Sequence, residues 1–122
     1  MAPRAPLKSR EATTREPLDA LGRYAGPATL ILSSLAGGAK HGYALTKDIE
    51  ELAGVRLAPG TLYEALARLE SQGFIEALAS EDRRRPYQLT GAGATALRAH
   101  LDLQRQVATE GLRRLNVGWS PA

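Results

Sequence analysis

The sequence contains no cysteine, which removes any disulfide framework and any thiolate chemistry. It holds only two histidines, His41 and His100, and they form no metal-ligand cluster with neighbouring carboxylates. Aromatic residues make up 5% of the chain, so a core has to be built from Leu, Ile, Val and Ala, a composition that favours helices. No uninterrupted apolar run reaches the roughly 18 residues of a transmembrane span, and the N-terminal stretch has no apolar signal-type segment. Catalytic constellations are missing as well. There is no Ser/His/Asp or Cys/His arrangement, no phosphate-cradling glycine loop and no carboxylate pair in a pocket-like setting. These absences predict a cytoplasmic protein that is not an enzyme, needs no cofactor and has no membrane partner.

What is present is enough for one domain plus an arm or an extra helix: 122 residues, 43% hydrophobic and 24% charged, with a net charge of +3. That modest positive excess permits nucleic-acid binding without requiring it, so the placement of the charges matters more than their sum. Residues 1–16 are polar, aperiodic and Pro-bearing. They read as a flexible arm whose Arg4, Lys8, Arg10 and Arg15 can follow a DNA backbone. From Pro17 to Tyr24, Leu18, Leu21 and Tyr24 recur at a spacing of three and predict a short helix.

Three amphipathic segments follow. The first runs from Pro27, a natural opening residue, to Leu35, with Leu30, Ile31 and Leu35 on one face. The second follows His41-Gly42-Tyr43, buries Leu45, Ile49 and Leu52, and meets Gly54 as its C-terminal cap. The third runs from Pro59 to Gly73, with Leu62, Leu66 and Leu69 inward and Thr61, Glu64 and Arg68 outward. After Gly73 the period changes from 3.6 to 2. Phe74–Ala79 and Pro86–Thr90 read as two strands around a charged loop, Ser80–Arg85. Thr90 then caps a long final helix carrying Leu97, Leu101, Ala108, Leu112 and Leu115 along one side.

Three helices followed by a β-hairpin make a winged helix-turn-helix, a mainly α fold with one small hairpin. A helix about 12 Å across fits the major groove, so the outward residues of the third helix can reach base edges. The Arg83-Arg84-Arg85 cluster at the hairpin tip suits phosphate contact, although charge runs on hairpins are also common as solvated surface. The expected division is an arm over 1–16, the DNA-binding domain over 17–90, a dimerisation helix over 91–116 and a tail over 117–122. The apolar stripe of the last helix has little left to pack on in so small a domain. It pairs with a second copy or folds back on its own first helix.

Several short segments in order, His41-Gly42-Tyr43, Pro59-Gly60-Thr61-Leu62-Tyr63, Arg68-Leu69-Glu70, Gly73-Phe74-Ile75 and Arg84-Arg85-Pro86-Tyr87-Gln88-Leu89-Thr90-Gly91-Ala92-Gly93, resemble the PadR-like transcriptional regulators. The resemblance covers about residues 27 to 100. It implies a homodimeric winged-helix repressor that binds double-stranded DNA at palindromic operators and controls its own and neighbouring genes. The chain is similar to the branch with a single C-terminal dimerisation helix. By the same resemblance Thr61 and Tyr63 contact phosphate and base edges, and Gly60 lets a phosphate approach the helix N-terminus. Tyr43, with Lys47 one turn on, fronts the second helix towards DNA or packs beneath it. Arg84 and Arg85, which follow Arg83 in the tip cluster, match the basic wing, and Tyr87, its following tyrosine, either packs or makes contact.

Two departures stand out. Ala58 occupies a position where the family often has Ser, removing a side-chain N-cap. Glu64 places a carboxylate on the DNA-facing side, where it accepts from cytosine N4 or pairs with Arg68. The resemblance also implies release by a flat apolar effector held between C-terminal helices. Residues 94–115 contain no aromatic to stack on one, and Trp119 lies beyond them. A winged helix used for protein contact without DNA is the other reading of the same architecture.

Overall fold

The computed structural model describes residues 25–80 and 84–121. The expected N-terminal arm, the helix over 17–24 and Arg83 at the hairpin tip lie outside the described residues. The first described helix, α1, spans Ala25–Leu35 and includes Pro27 near its described start. Proline is tolerated there because N–H groups of a first turn have no intrahelical acceptor. Ala28, Ile31, Leu32 and Leu35 are all buried, so α1 forms the middle of the core and meets every other described helix. Its one buried polar residue, Ser34, donates to Asp48 Oδ2 at 2.6 Å.

Helix α2, Gly42–Ala53, packs on α1 through Leu45 and Ile49. Gly54 closes it in the left-handed conformation (φ 69°) and donates to Glu50 O, as its spacing predicts. Leu52 departs from expectation. It is 55% exposed, because it sits on the last turn, where nothing among the described residues covers it. Helix α3, Pro59–Ser71, buries Leu62, Ala65, Leu66 and Leu69. It ends in a Schellman arrangement: Phe74 N donates to Leu69 O, Gly73 N donates to Glu70 O, and Gly73 has φ 80°.

The hairpin is shorter in regular strand than its pattern suggests. Strand β1, Ile75–Ala77, pairs antiparallel with β2, Tyr87–Leu89, with Ile75 opposite Leu89 and Ala77 opposite Tyr87. Single hydrogen bonds extend the ladder at both ends, from Thr90 N to Phe74 O and from Leu78 N to Pro86 O. Pro86 has no N–H to return the second bond, which limits the pairing there. A third segment joins unexpectedly: Lys40 and Tyr87 exchange backbone bonds of 3.1 and 2.9 Å, tying the loop before α2 to the loop end of β2.

Helix α4 spans Gly91–Val117, about 40 Å at 1.5 Å per residue. Thr90 caps it as expected, accepting from Gly93 N at 3.0 Å while donating to Gly73 O at 2.7 Å. Gly93, Ala96, Leu97 and His100 are buried in the domain; from Leu101 onwards the helix projects into solvent. Gly93 is fixed by close approach, since a Cβ would collide with the Phe74 carbonyl and stand 2.9 Å from Leu89 Cδ1. The obstacle is backbone and cannot swing aside. Gly93→Ala should therefore destabilise the fold by about 2 kcal/mol, a drop in Tm of roughly 10 °C for a domain of this size. An unchanged thermal unfolding curve would contradict this packing.

Candidate nucleic-acid interface

With Leu62, Ala65, Leu66 and Leu69 facing the core, a rotation of 100° per residue places Gly60, Glu64, Ala67 and Ser71 directly opposite. Tyr63 lies on one flank of that outer surface and Arg68 on the other; Thr61, half-buried, sits lower on the Arg68 side. Ala67 and Ser71 were not among the expected contacts, although the helical period alone puts them there. Their small side chains let the helix approach a surface closely. Ala58 adopts an extended conformation (φ −65°, ψ 148°) at the N-cap of α3 and makes no side-chain cap bond. His41, the N-cap of α2, makes none either. Both helices thus present first-turn N–H groups without a capping side chain, and their dipoles favour an anion there.

Tyr63 leans away from its own helix towards the start of α2, where its ring lies against Gly42. A cleft of about 290 Å³ opens at this junction, lined by His41, Tyr43, Tyr63, Arg84, Arg85 and Tyr87. A second cleft of about 340 Å³ lies on the other side of the tyrosines, with Lys47, Arg56 and Pro59 in its wall. The structure therefore brings together Tyr43 (67% exposed), Tyr63 (54% exposed), Lys47, Arg84 and Arg85 from three separate segments. Arg56 belongs to the same face and escaped the sequence reading; it pairs with Glu50 at 3.2 Å, and its place follows from the α2–α3 turn. On the wing side, Arg84 Nη1 is 3.4 Å from His41 Nε2. Tyr87 resolves towards packing, half-buried against the core cluster while its edge lines the cleft.

The stripe on the last helix divides. Leu97 is 6% exposed and belongs to the core of its own domain, so it is not part of a free face. Its period matches the stripe, but the start of α4 is sandwiched against the rest of the domain. Leu101, Ala108, Leu112 and Leu115 are exposed along one side. Leu103 and Val107 add apolar surface on another side, unnoticed in the sequence because they interrupt the main stripe. Along the same helix Asp102 pairs with Arg105 at 2.7 Å, and Glu110 binds Arg113 and Arg114. The Arg113 guanidinium, followed by that of Arg114, holds the Glu110 carboxyl below its ordinary range.

Residues 31–99 match the model of the transcriptional regulator PadR-like family, more than half of the chain. The chain belongs to the PadR-like family of transcriptional regulators. It is 41% identical to transcriptional regulator Rv3488 of Mycobacterium tuberculosis, over 63% of this chain and 78% of that one. A 37.1 kDa transposon-encoded protein of Streptomyces fradiae is 48% identical over 56% of this chain, which spans only 20% of its length. Among solved structures, a PadR family transcription regulator from Clostridium difficile superimposes with a TM-score of 0.65 at 30% identity. The match covers 72% of this chain and 96% of that one.

As a PadR-like regulator the chain is a winged helix-turn-helix protein of a DNA-binding family and not an enzyme. The matched span runs from the middle of α1 into the buried start of α4, so it contains α2, α3 and the hairpin that build the tyrosine and arginine face. Among the described residues no three His, Cys, Asp or Glu gather to hold a metal, and no helix is long and apolar enough to cross a membrane.

Proposed function

We propose that this PadR-like protein is a cytoplasmic homodimeric repressor that binds palindromic operator DNA and controls its own and neighbouring genes. The observation that supports the reading best is the convergence of Tyr43, Tyr63, Arg84 and Arg85 on one face, beside two helix N-termini without side-chain caps. In this reading α3 enters the major groove, with Gly60, Thr61, Glu64 and Arg68 along it. Arg84 and Arg85 grip the adjoining backbone, and Lys47 meets the phosphate on the opposite side.

The projecting part of α4 supplies the second half of the proposal. Leu101, Ala108, Leu112 and Leu115 offer an apolar side that a second copy buries, giving two recognition helices related by a two-fold axis. In this proposal the DNA-binding domain extends to His100, the last buried residue of α4, and the dimerising segment begins at Leu101. A small apolar effector would find the cleft of about 520 Å³ at the root of α4, lined by Leu89, Leu97, Arg98 and Leu101.

Selection of bound duplexes from a random-sequence pool tests the reading. Recovery of an inverted repeat with half-sites about one helical turn apart is the expected result. Recovery of no enriched sequence, with no duplex retained at low salt, would favour the protein-contact alternative.

A further inference from the structure

Three consecutive residues before and at the start of α2 each hold a different part of the DNA-facing surface. Lys40 pairs by backbone with Tyr87 where β2 leaves the wing loop, and its Nζ donates to Ser34 O at 2.6 Å on α1. His41 reaches Arg84 on the wing. Gly42 receives the ring of Tyr63 from the recognition helix.

Gly42 is the informative one. Its backbone does not require glycine, since its φ is not positive. It is the first residue of α2, directly after the His41 N-cap, so the helix itself does not demand glycine there. What excludes a side chain is Tyr63: a Cβ on Gly42 would run into the tyrosine hydroxyl and stand 3.0 Å from Cζ and 3.4 Å from Cε1. Gly42 is buried beneath a tyrosine that is itself 54% exposed. The ring is therefore the movable partner. A methyl group at position 42 would push it outward and leave the core untouched.

We infer that Gly42 is a positioning residue for DNA recognition: its missing side chain forms the seat that fixes Tyr63 between the recognition helix and the wing. The inference rests on the proposed function and adds to it a determinant that makes no DNA contact of its own. Through Lys40 and His41, the same short segment sets the distance between Tyr63 and Arg84, hence between the groove-reading and backbone-gripping parts of the face.

A double-mutant cycle on the full chain tests this, read by affinity for the selected duplex, by Tm and by ring NMR of the four tyrosines. Gly42→Ala is expected to weaken DNA binding about tenfold, with Tm unchanged or raised and with the Tyr63 ring resonance shifted while that of Tyr87 stays in place. In the Tyr63→Phe background, which lacks the obstructing hydroxyl, Gly42→Ala should cost less than about threefold. A wild-type chain that binds DNA while Gly42→Ala is silent, or while the tenfold loss persists in the Tyr63→Phe background, overturns this inference alone. A wild-type chain that binds no duplex overturns the proposed function with it.

Discussion

Replacing both Arg84 and Arg85 by alanine should weaken operator binding roughly 100-fold, taking about 1.5 kcal/mol for each charge-assisted contact. It should also reduce the slope of log K against log[salt] by about two, because two phosphate neutralisations are lost with their released counterions. Both residues are exposed, so the domain should unfold at the same temperature as wild type. The change should be nearly uniform across operator sequences, since a residue that grips phosphate carries no base information. Titrations at several salt concentrations check both numbers. An unchanged slope would mean that the wing is solvated surface, as hairpin charge clusters often are.

The second large effect is expected at the far end of the molecule. Leu112 is 59% exposed on the projecting part of α4, so Leu112→Glu leaves the core of the domain intact. In a two-fold dimer each substitution acts twice. Losing the burial of two leucines costs about 4 kcal/mol, which raises the dimer dissociation constant roughly 1000-fold. Sedimentation equilibrium should then show the 13.0 kDa chain as a monomer at micromolar concentration. Binding to a palindrome should collapse to the weak affinity of one half-site. A variant that remains dimeric would place the interface elsewhere, with the side carrying Leu103 and Val107 the next candidate.

The parts of this fold that were legible in the sequence are those decided within a few residues of the chain. Leu62, Leu66 and Leu69 mark the buried side of α3 because a single helix sets their spacing. Gly54 and Thr90 mark helix ends because capping is a local hydrogen-bond problem. Leu52 and Leu97 share the spacing of their stripes yet end up on opposite sides of the expectation: one lies beyond the covered surface and the other is clamped inside it. Periodicity states which side of a helix is apolar, but not how far along the helix that side is covered. The site was legible in its members and not in its assembly. Tyr43, Tyr63, Arg84 and Arg85 are visible as residues of the right chemistry. Their meeting depends on contacts across the fold, the Lys40–Tyr87 backbone pair and the seat at Gly42, which no local pattern encodes.

The central claim is that this PadR-like chain binds duplex DNA as a dimer through the face shared by α3 and the wing. Sedimentation velocity of the wild-type protein with a selected duplex, at low and at physiological salt, tests it most directly. A complex of two chains per duplex is expected to form at both salt concentrations and to weaken steeply between them. A chain that sediments apart from the duplex at low salt would contradict it.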